Sequence, residues 1–168
     1  MNITLRHETP ADVGTIATLT AAAFLHAEHS SHTEQFIVNA LRAAGALTLS
    51  LVAERNGTPI GHASVSPVAL STGAVGWYGL APVSVLPACQ NLGIGSRLIR
   101  RLLAELQERG AAGCVVLGEP SYYGRFGFQA QDALTLPGVP QDYFRAIAFQ
   151  GALPCAEVAF HNAFNAEA

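Results

Sequence analysis

The chain has 168 residues, a length that suits one domain, and half of those residues are hydrophobic, enough for a well-buried core. Only 12% of residues are charged and the formal net charge is −3, which excludes the large positive field needed to hold a nucleic-acid backbone or an anionic membrane surface. Met1 to Glu8 lacks the basic, apolar and small-residue order of a secretion signal, and no apolar stretch approaches the ~20 residues of a membrane span, so a soluble, cytoplasmic protein is expected.

Thr9-Pro10-Ala11-Asp12 reads as a capping box with proline at the first helical position. Val13, Ile16, Ala17, Thr20 and Phe24 then share one face, predicting a helix from about Pro10 to Phe24. His26, His29 and His32 follow with Glu28 among them, but their spacing is no standard zinc set and Ser30-Ser31 marks the helix as ended, so no metal is expected. Ser31 and Glu34 offer a second cap, ahead of Phe36, Ile37, Ala40 and Leu41 at helical spacing and a stop near Gly45. Leu47 to Ala53 and Ile60 to Val65 flank Asn56-Gly57 and predict two antiparallel strands joined by a tight hairpin.

Trp77 to Val85 reads as a strand in which Pro82 implies incomplete pairing on one side. From Gly93 the stripe Ile94, Leu98, Ile99, Leu102, Leu103 and Leu106 predicts the longest helix, ending at Arg109-Gly110. Cys114 to Leu117 is a short strand, Ser121 to Phe126 a helical turn closed by Gly127, and Cys155 to Phe160 a final strand. Leu136 to Pro154, with three prolines, reads as irregular chain. Neither repeats nor a separating linker interrupt residues 1–168, so a single domain is expected. Cys89, Cys114 and Cys155 are odd in number and far apart, which predicts reduced, mostly buried thiols.

Chemistry concentrates between Val83 and Arg97, where a strand, a turn and a glycine-containing helix start follow one another. Such a turn aims several backbone N–H groups one way at the positive end of a helix dipole and suits a pyrophosphate. It is not a Walker motif, since no Gly-Lys-Ser/Thr follows, and Gly93-x-Gly95 does not complete a dinucleotide fingerprint.

Gln90-Asn91-Leu92-Gly93-Ile94-Gly95, between a strand and a long helix, resembles the Gln/Arg-x-x-Gly-x-Gly/Ala signature of the GNAT acetyltransferase superfamily. With the two helices and hairpin before it and the Gly-Phe element after it, the resemblance covers roughly Ile3 to Phe128. The Tyr122 to Phe128 run is similar to that of a bacterial subgroup of poorly defined substrate. The resemblance implies an α/β (α+β) fold with a mixed, mostly antiparallel sheet splayed between its fourth and fifth strands and helices on both faces.

It also implies transfer of acetyl from acetyl-CoA to a primary amine of a small molecule or peptide, by direct attack and without metal. Backbone groups of Val83 and Val85 are then expected to bond the pantetheine amides, with an amide near Val85 polarising the thioester carbonyl. The amides of Leu92, Gly93, Ile94, Gly95 and Ser96 would seat the pyrophosphate, Gln90 would frame the turn, and Arg97, Arg100 or Arg101 would reach a phosphate. The position four residues before Gly127-Phe128 makes Tyr123 the expected general acid, with Tyr122 its neighbour in register.

Relatives carry an asparagine where Glu119-Pro120-Ser121 stands here, a departure that weighs against cofactor contacts from this loop. For the general base the residues leave two candidates open, Glu119 and His62, beside a water chain. The histidine-bearing segment after the first helix reads as a loop at the substrate entrance. Cys89 adjoins the turn without a partnered base, which favours direct transfer over an acyl-cysteine route. The competing reading is an acyl-CoA-binding regulatory module without turnover. Dimers are common in the family, so a homodimer accords with the resemblance.

Overall fold

The structure, a computed structural model, describes residues 2–28 and 30–168. In chain order, β1 (Ile3–His7) leads through a 3-10 turn at Pro10–Asp12 into α1 (Val13–Phe24), followed by α2 (Glu34–Ala43). Next come β2 (Leu49–Arg55), β3 (Thr58–Pro67), the short β4 (Ala69–Leu70) and β5 (Trp77–Val85). A second 3-10 turn, Pro87–Cys89, precedes α3 (Ile94–Glu108), β6 (Gly113–Leu117) and α4 (Pro120–Gly124). Then come β7 (Gln129–Ala130), β8 (Leu134–Thr135), β9 (Phe144–Ala148) and β10 (Ala156–Ala159), with 3-10 turns at Gln141–Tyr143 before β9 and at Asn162–Asn165 after β10.

Local chemistry explains most of these bounds. The Asp12 carboxylate accepts from the Thr9 N–H at 2.7 Å and from Arg6 at 2.7 and 2.9 Å, so the box forms and its first turn is pulled tight as 3-10 before α1 begins. That guanidinium, against the cost of burial, holds the Asp12 carboxyl well below its usual range. The cap of α2 falls elsewhere than expected: Thr33 precedes the helix, and Ser30 rather than Ser31 bonds Glu34, at 2.8 Å. Asn56 and Gly57 both take positive φ, 52° and 79°, the geometry of a two-residue hairpin turn.

Five strands went unread in the sequence, the two-residue β4, β7 and β8 and the longer β1 and β9. β1 pairs antiparallel with β2, from Ile3↔Arg55 to His7↔Leu51, and β9 pairs antiparallel with β6, from Gly113↔Ala148 to Leu117↔Phe144. The second lies inside the stretch expected to be irregular. Both are five residues long and have partners far along the chain, so no adjacent turn signal announced them.

The chain divides into two compact units. The first comprises Met1–Val65, Ala81–Leu102 and Asn162–Ala168. In it β1, β2 and β3 form an antiparallel run continued by residues 81–85 of β5, and its two faces are covered differently. Val52 packs with Ile16 of α1 and Val38 of α2 on one face. On the other, a Cβ at Gly61 would sit 3.1 Å from Ile94 and 3.3 Å from Leu98, so α3 approaches the strand closely because glycine stands there.

The second unit comprises Ser66–Leu80 and Leu103–His161. Its part of β5 pairs parallel with β6, Trp77↔Gly113 to Gly79↔Val115, and the sheet continues through β9 to β7. A smaller sheet holds β10 between β4, antiparallel, and β8, parallel. Trp77, Val115, Leu134, Phe144 and Val158 make its core. Gly113 lies flat against the Trp77 ring, where a Cβ would overlap it. Phe128 is fully buried and Phe126 partly so, while Cys89 and Cys114 are buried and Cys155 is exposed.

Candidate active site

Within the first unit, β5 runs into a turn with several fixed features. The Leu86 N–H bonds the Ile60 carbonyl at 2.9 Å, and the following 3-10 turn buries Cys89. The Gln90 side-chain amide folds back to donate to the Val85 carbonyl at 3.1 Å, tying the turn to the strand that it leaves. Asn91 and Gly93 adopt φ of 65° and 80°, the left-handed region in which glycine carries no steric cost. Gly95 has no such requirement and lies in the first turn of α3.

Arg97 makes the first backbone bond of that helix, to Gly93 at 3.1 Å, so the N–H groups of Ile94, Gly95 and Ser96 have no acceptor within it. Ile94 is buried and anchors the helix, whereas residues 90–93 are exposed, Leu92 at 52%. The turn thus presents backbone donors at the positive end of a 15-residue helix. Arg97 itself spends one N–H on the Ile3 carbonyl at 3.2 Å.

A cavity of about 410 Å³ opens beside this strand end, lined by Phe24 at the end of α1, by His26 and Ala27 after it, and by Val83, Val85 and Gln90. Pairing of β5 with β6 covers Trp77 to Gly79, so among the described residues the 81–85 stretch has β3 as its one strand neighbour. A strand edge beside a cavity can bond, through its backbone amide and carbonyl groups, an extended ligand that itself carries amides. The wall from the end of α1 had no counterpart in the motif. Its only signal was the histidine at position 26.

Three other candidates have their own surroundings. His62 on β3 is wholly buried, and burial pushes its imidazole down to about 4, keeping it neutral. Its Nε2 lies 2.7 Å from the Ser50 hydroxyl, which donates to Glu8, itself paired with Arg42 at 2.8 Å. Since the Ser50 proton goes to Glu8, Ser50 accepts from His62, whose Nε2 therefore carries the ring proton. His62 belongs to a buried network and not to the cavity wall.

In the second unit, Glu119 is exposed at the start of α4 and accepts from the Ser121 hydroxyl at 3.3 Å. Tyr123, on the same short helix, is held edge-on to Tyr122 at 5.0 Å and to Phe128 at 6.1 Å, and it covers Gly118, where a Cβ would strike its ring. Burial, reinforced by Tyr122, pushes its phenol up to about 12. Among the described residues no group of three or more His, Cys, Asp or Glu is placed to hold a metal ion, and His29 lies outside the described residues.

The family model described as the acetyltransferase (GNAT) family matches residues 15–128, more than half of the chain and the whole of the turn. This chain belongs to the GNAT acetyltransferase family. The uncharacterized N-acetyltransferase YhbS of Escherichia coli strain K12 is 36% identical over 126 residues, covering 74% of this chain and 72% of YhbS. A GNAT acetyltransferase from Brucella melitensis, solved in complex with acetyl-CoA, superposes with a TM-score of 0.88 at 48% identity, covering 97% of this chain and 98% of that one.

The crystal structure of Escherichia coli YhbS with CoA gives a TM-score of 0.85 at 31% identity over 98% of this chain and 93% of that one. The fold is therefore the GNAT fold, and the chain is an acetyl-CoA-dependent GNAT N-acetyltransferase. No helix among the described residues is long and apolar enough to cross a membrane.

Proposed function

We propose that residues 1–168 act as one catalytic domain in which the β5 edge and the turn after it hold acetyl-CoA for direct attack by a primary amine. The observation that carries this reading is the cavity shared by Val83, Val85 and Gln90 at the foot of a turn whose amides point out of α3. Backbone groups of Val83 and Val85 bond the pantetheine amides, and an amide near Val85 stabilises the charge that gathers on the thioester oxygen. The amides of Leu92, Gly93, Ile94, Gly95 and Ser96 receive the pyrophosphate, with Gln90 bracing the turn from behind. Arg97, already bonded to Ile3, adds charge to the phosphate side with the rest of its guanidinium.

Tyr123 is the acid in this reading. A phenol raised to about 12 keeps its proton at neutral pH, as an ordinary phenol does, so Tyr123 holds the protonated form that an acid needs while burial makes it a weaker donor to the departing thiolate. Glu119, exposed and accepting from Ser121, has weaker support as base. The acceptor is an amine of a small molecule or peptide in the cytoplasm, the protein works without nucleic acid or membrane, and a homodimer accords with the family.

Calorimetric titration with acetyl-CoA, followed by an amine panel assayed for thiol release, tests the whole reading. Micromolar binding and turnover that Tyr123→Phe lowers about 100-fold, with affinity held, is the expected result. Binding without turnover on any amine leaves a regulatory acyl-CoA module instead, and a folded wild type that does not bind removes the site.

A further inference from the structure

Direct attack needs a neutral amine, yet an alkylamine in neutral water is mostly protonated, so a group at the site that accepts this proton speeds the reaction. Of the base candidates from the sequence, His62 is fully buried and tied to Ser50, and Glu119 stands at the start of α4, bonded by Ser121. The cavity along the β5 edge contains a different group. His26, just past the end of α1, lines it together with Val83 and Val85 and is, among the described residues, the one titratable side chain in its lining.

We propose that His26 is the general base of the acetyl transfer, a catalytic residue that takes the proton from the acceptor's ammonium group. The inference rests on the reading of Val83 and Val85 as the seat of the pantetheine arm. Three properties of the position suit the role. Histidine is the residue type that accepts and returns a proton near neutral pH. The side chain is exposed, so the proton can pass to solvent after each turnover. The other described lining groups are apolar or, in Gln90, a neutral amide, so among the described residues no carboxylate or second cationic group in the wall competes for the amine, and Glu28, two residues on, is the nearest acid along its own segment.

The balance is as follows. An imidazole nitrogen of His26 takes one proton from the ammonium group, and the freed lone pair forms the C–N bond to the acetyl carbon. The C–S bond breaks with its electron pair going to sulfur, which receives the Tyr123 proton. The second proton leaving nitrogen offsets the one that Tyr123 gave, and His26 releases its own to solvent, so each turnover yields amide, free thiol and one net proton.

The test compares wild type with His26→Gln, which keeps the side chain's polarity and approximate size but cannot act as a base. Initial rates of thiol release from acetyl-CoA are measured at pH 7 with two nucleophiles, n-butylamine, which is protonated there, and hydroxylamine, which is neutral, each corrected for the enzyme-free reaction. The expected result is a fall in kcat/KM of about 100-fold for n-butylamine, a change within about two-fold for hydroxylamine, and an unchanged calorimetric Kd for acetyl-CoA.

Equal losses with both nucleophiles, or a loss of acetyl-CoA affinity, would show His26 to be a binding or structural residue and overturn the proposal, as would an undiminished rate with n-butylamine. A wild type that binds acetyl-CoA but turns over neither nucleophile overturns His26 as a base serving simple alkylamines, and a wild type that does not bind it overturns the site on which the proposal depends.

Discussion

At the scale of single residues, what a titratable group does is decided by its surroundings more than by its identity. His62 and Tyr123 both lie in environments that disfavour their charged forms, with opposite consequences. Burial takes His62 down to about 4 from 6.5, so between those values the unfolded chain binds a proton that the folded chain refuses. Its contribution is therefore complete above pH 6.5 and is lost as pH falls towards 4, where the folded state also protonates. The loss is on the order of 3 kcal/mol. Urea denaturation of wild type at pH 7.5 and pH 4.5 should show that loss, and His62→Gln, less stable at pH 7.5, should show a smaller dependence. An equal pH dependence in the two proteins would remove His62 as its source. For Tyr123 the same desolvation favours the protonated phenol, the form that a general acid needs at neutral pH.

At the scale of elements, two glycines carry requirements of different kinds. Gly93 has a φ of 80° with nothing within 4 Å of where a Cβ would stand, so its constraint is conformational and not steric crowding. Gly93→Asn, whose side chain tolerates the left-handed region, should retain most acetyl-CoA affinity, whereas Gly93→Val should cost about 1–2 kcal/mol or shift the turn and weaken binding at least about tenfold. Calorimetry on the pair checks this, and equal affinities would mean that the turn conformation does not matter for binding. Gly118 presents the opposite case, since a Cβ there would run into the Tyr123 ring. Gly118→Ala should displace that ring and lower kcat about tenfold or more while the acetyl-CoA Kd stays put, because the atoms nearest to the added Cβ all belong to the Tyr123 ring. A variant with wild-type kcat would argue against Tyr123 as the acid.

At the scale of the whole molecule, ligand binding and folding are linked. A ligand held by the native turn and strand edge, which the unfolded chain lacks, stabilises the protein by about 2.7 kcal/mol at a hundred times its Kd. Acetyl-CoA at that concentration should raise Tm by several degrees, and a variant with Gly93 and Gly95 both replaced by valine should lose the rise. A rise that survives both replacements would place the ligand elsewhere. The features that lead to these predictions differ in how visible they were in the sequence. Residues adjacent in the chain sufficed for the α1 cap, the Asn56-Gly57 hairpin, the bounds of β5 and α3, and the turn from Gln90 to Gly95, because helix periodicity, left-handed glycine and N-terminal donors are local properties. The family resemblance was legible for the same reason, since its motif is one short, contiguous turn. Tertiary structure decided the rest. β1 and β9 become strands only through distant partners, His62 becomes a neutral buried ring only by folding against Ser50 and Glu8, and His26 shares a cavity with Val83 and Val85 only because the chain folds the end of α1 towards the β5 edge. Pairing, desolvation and cavity walls arise from residues far apart in the chain, and for that reason no local pattern announces them.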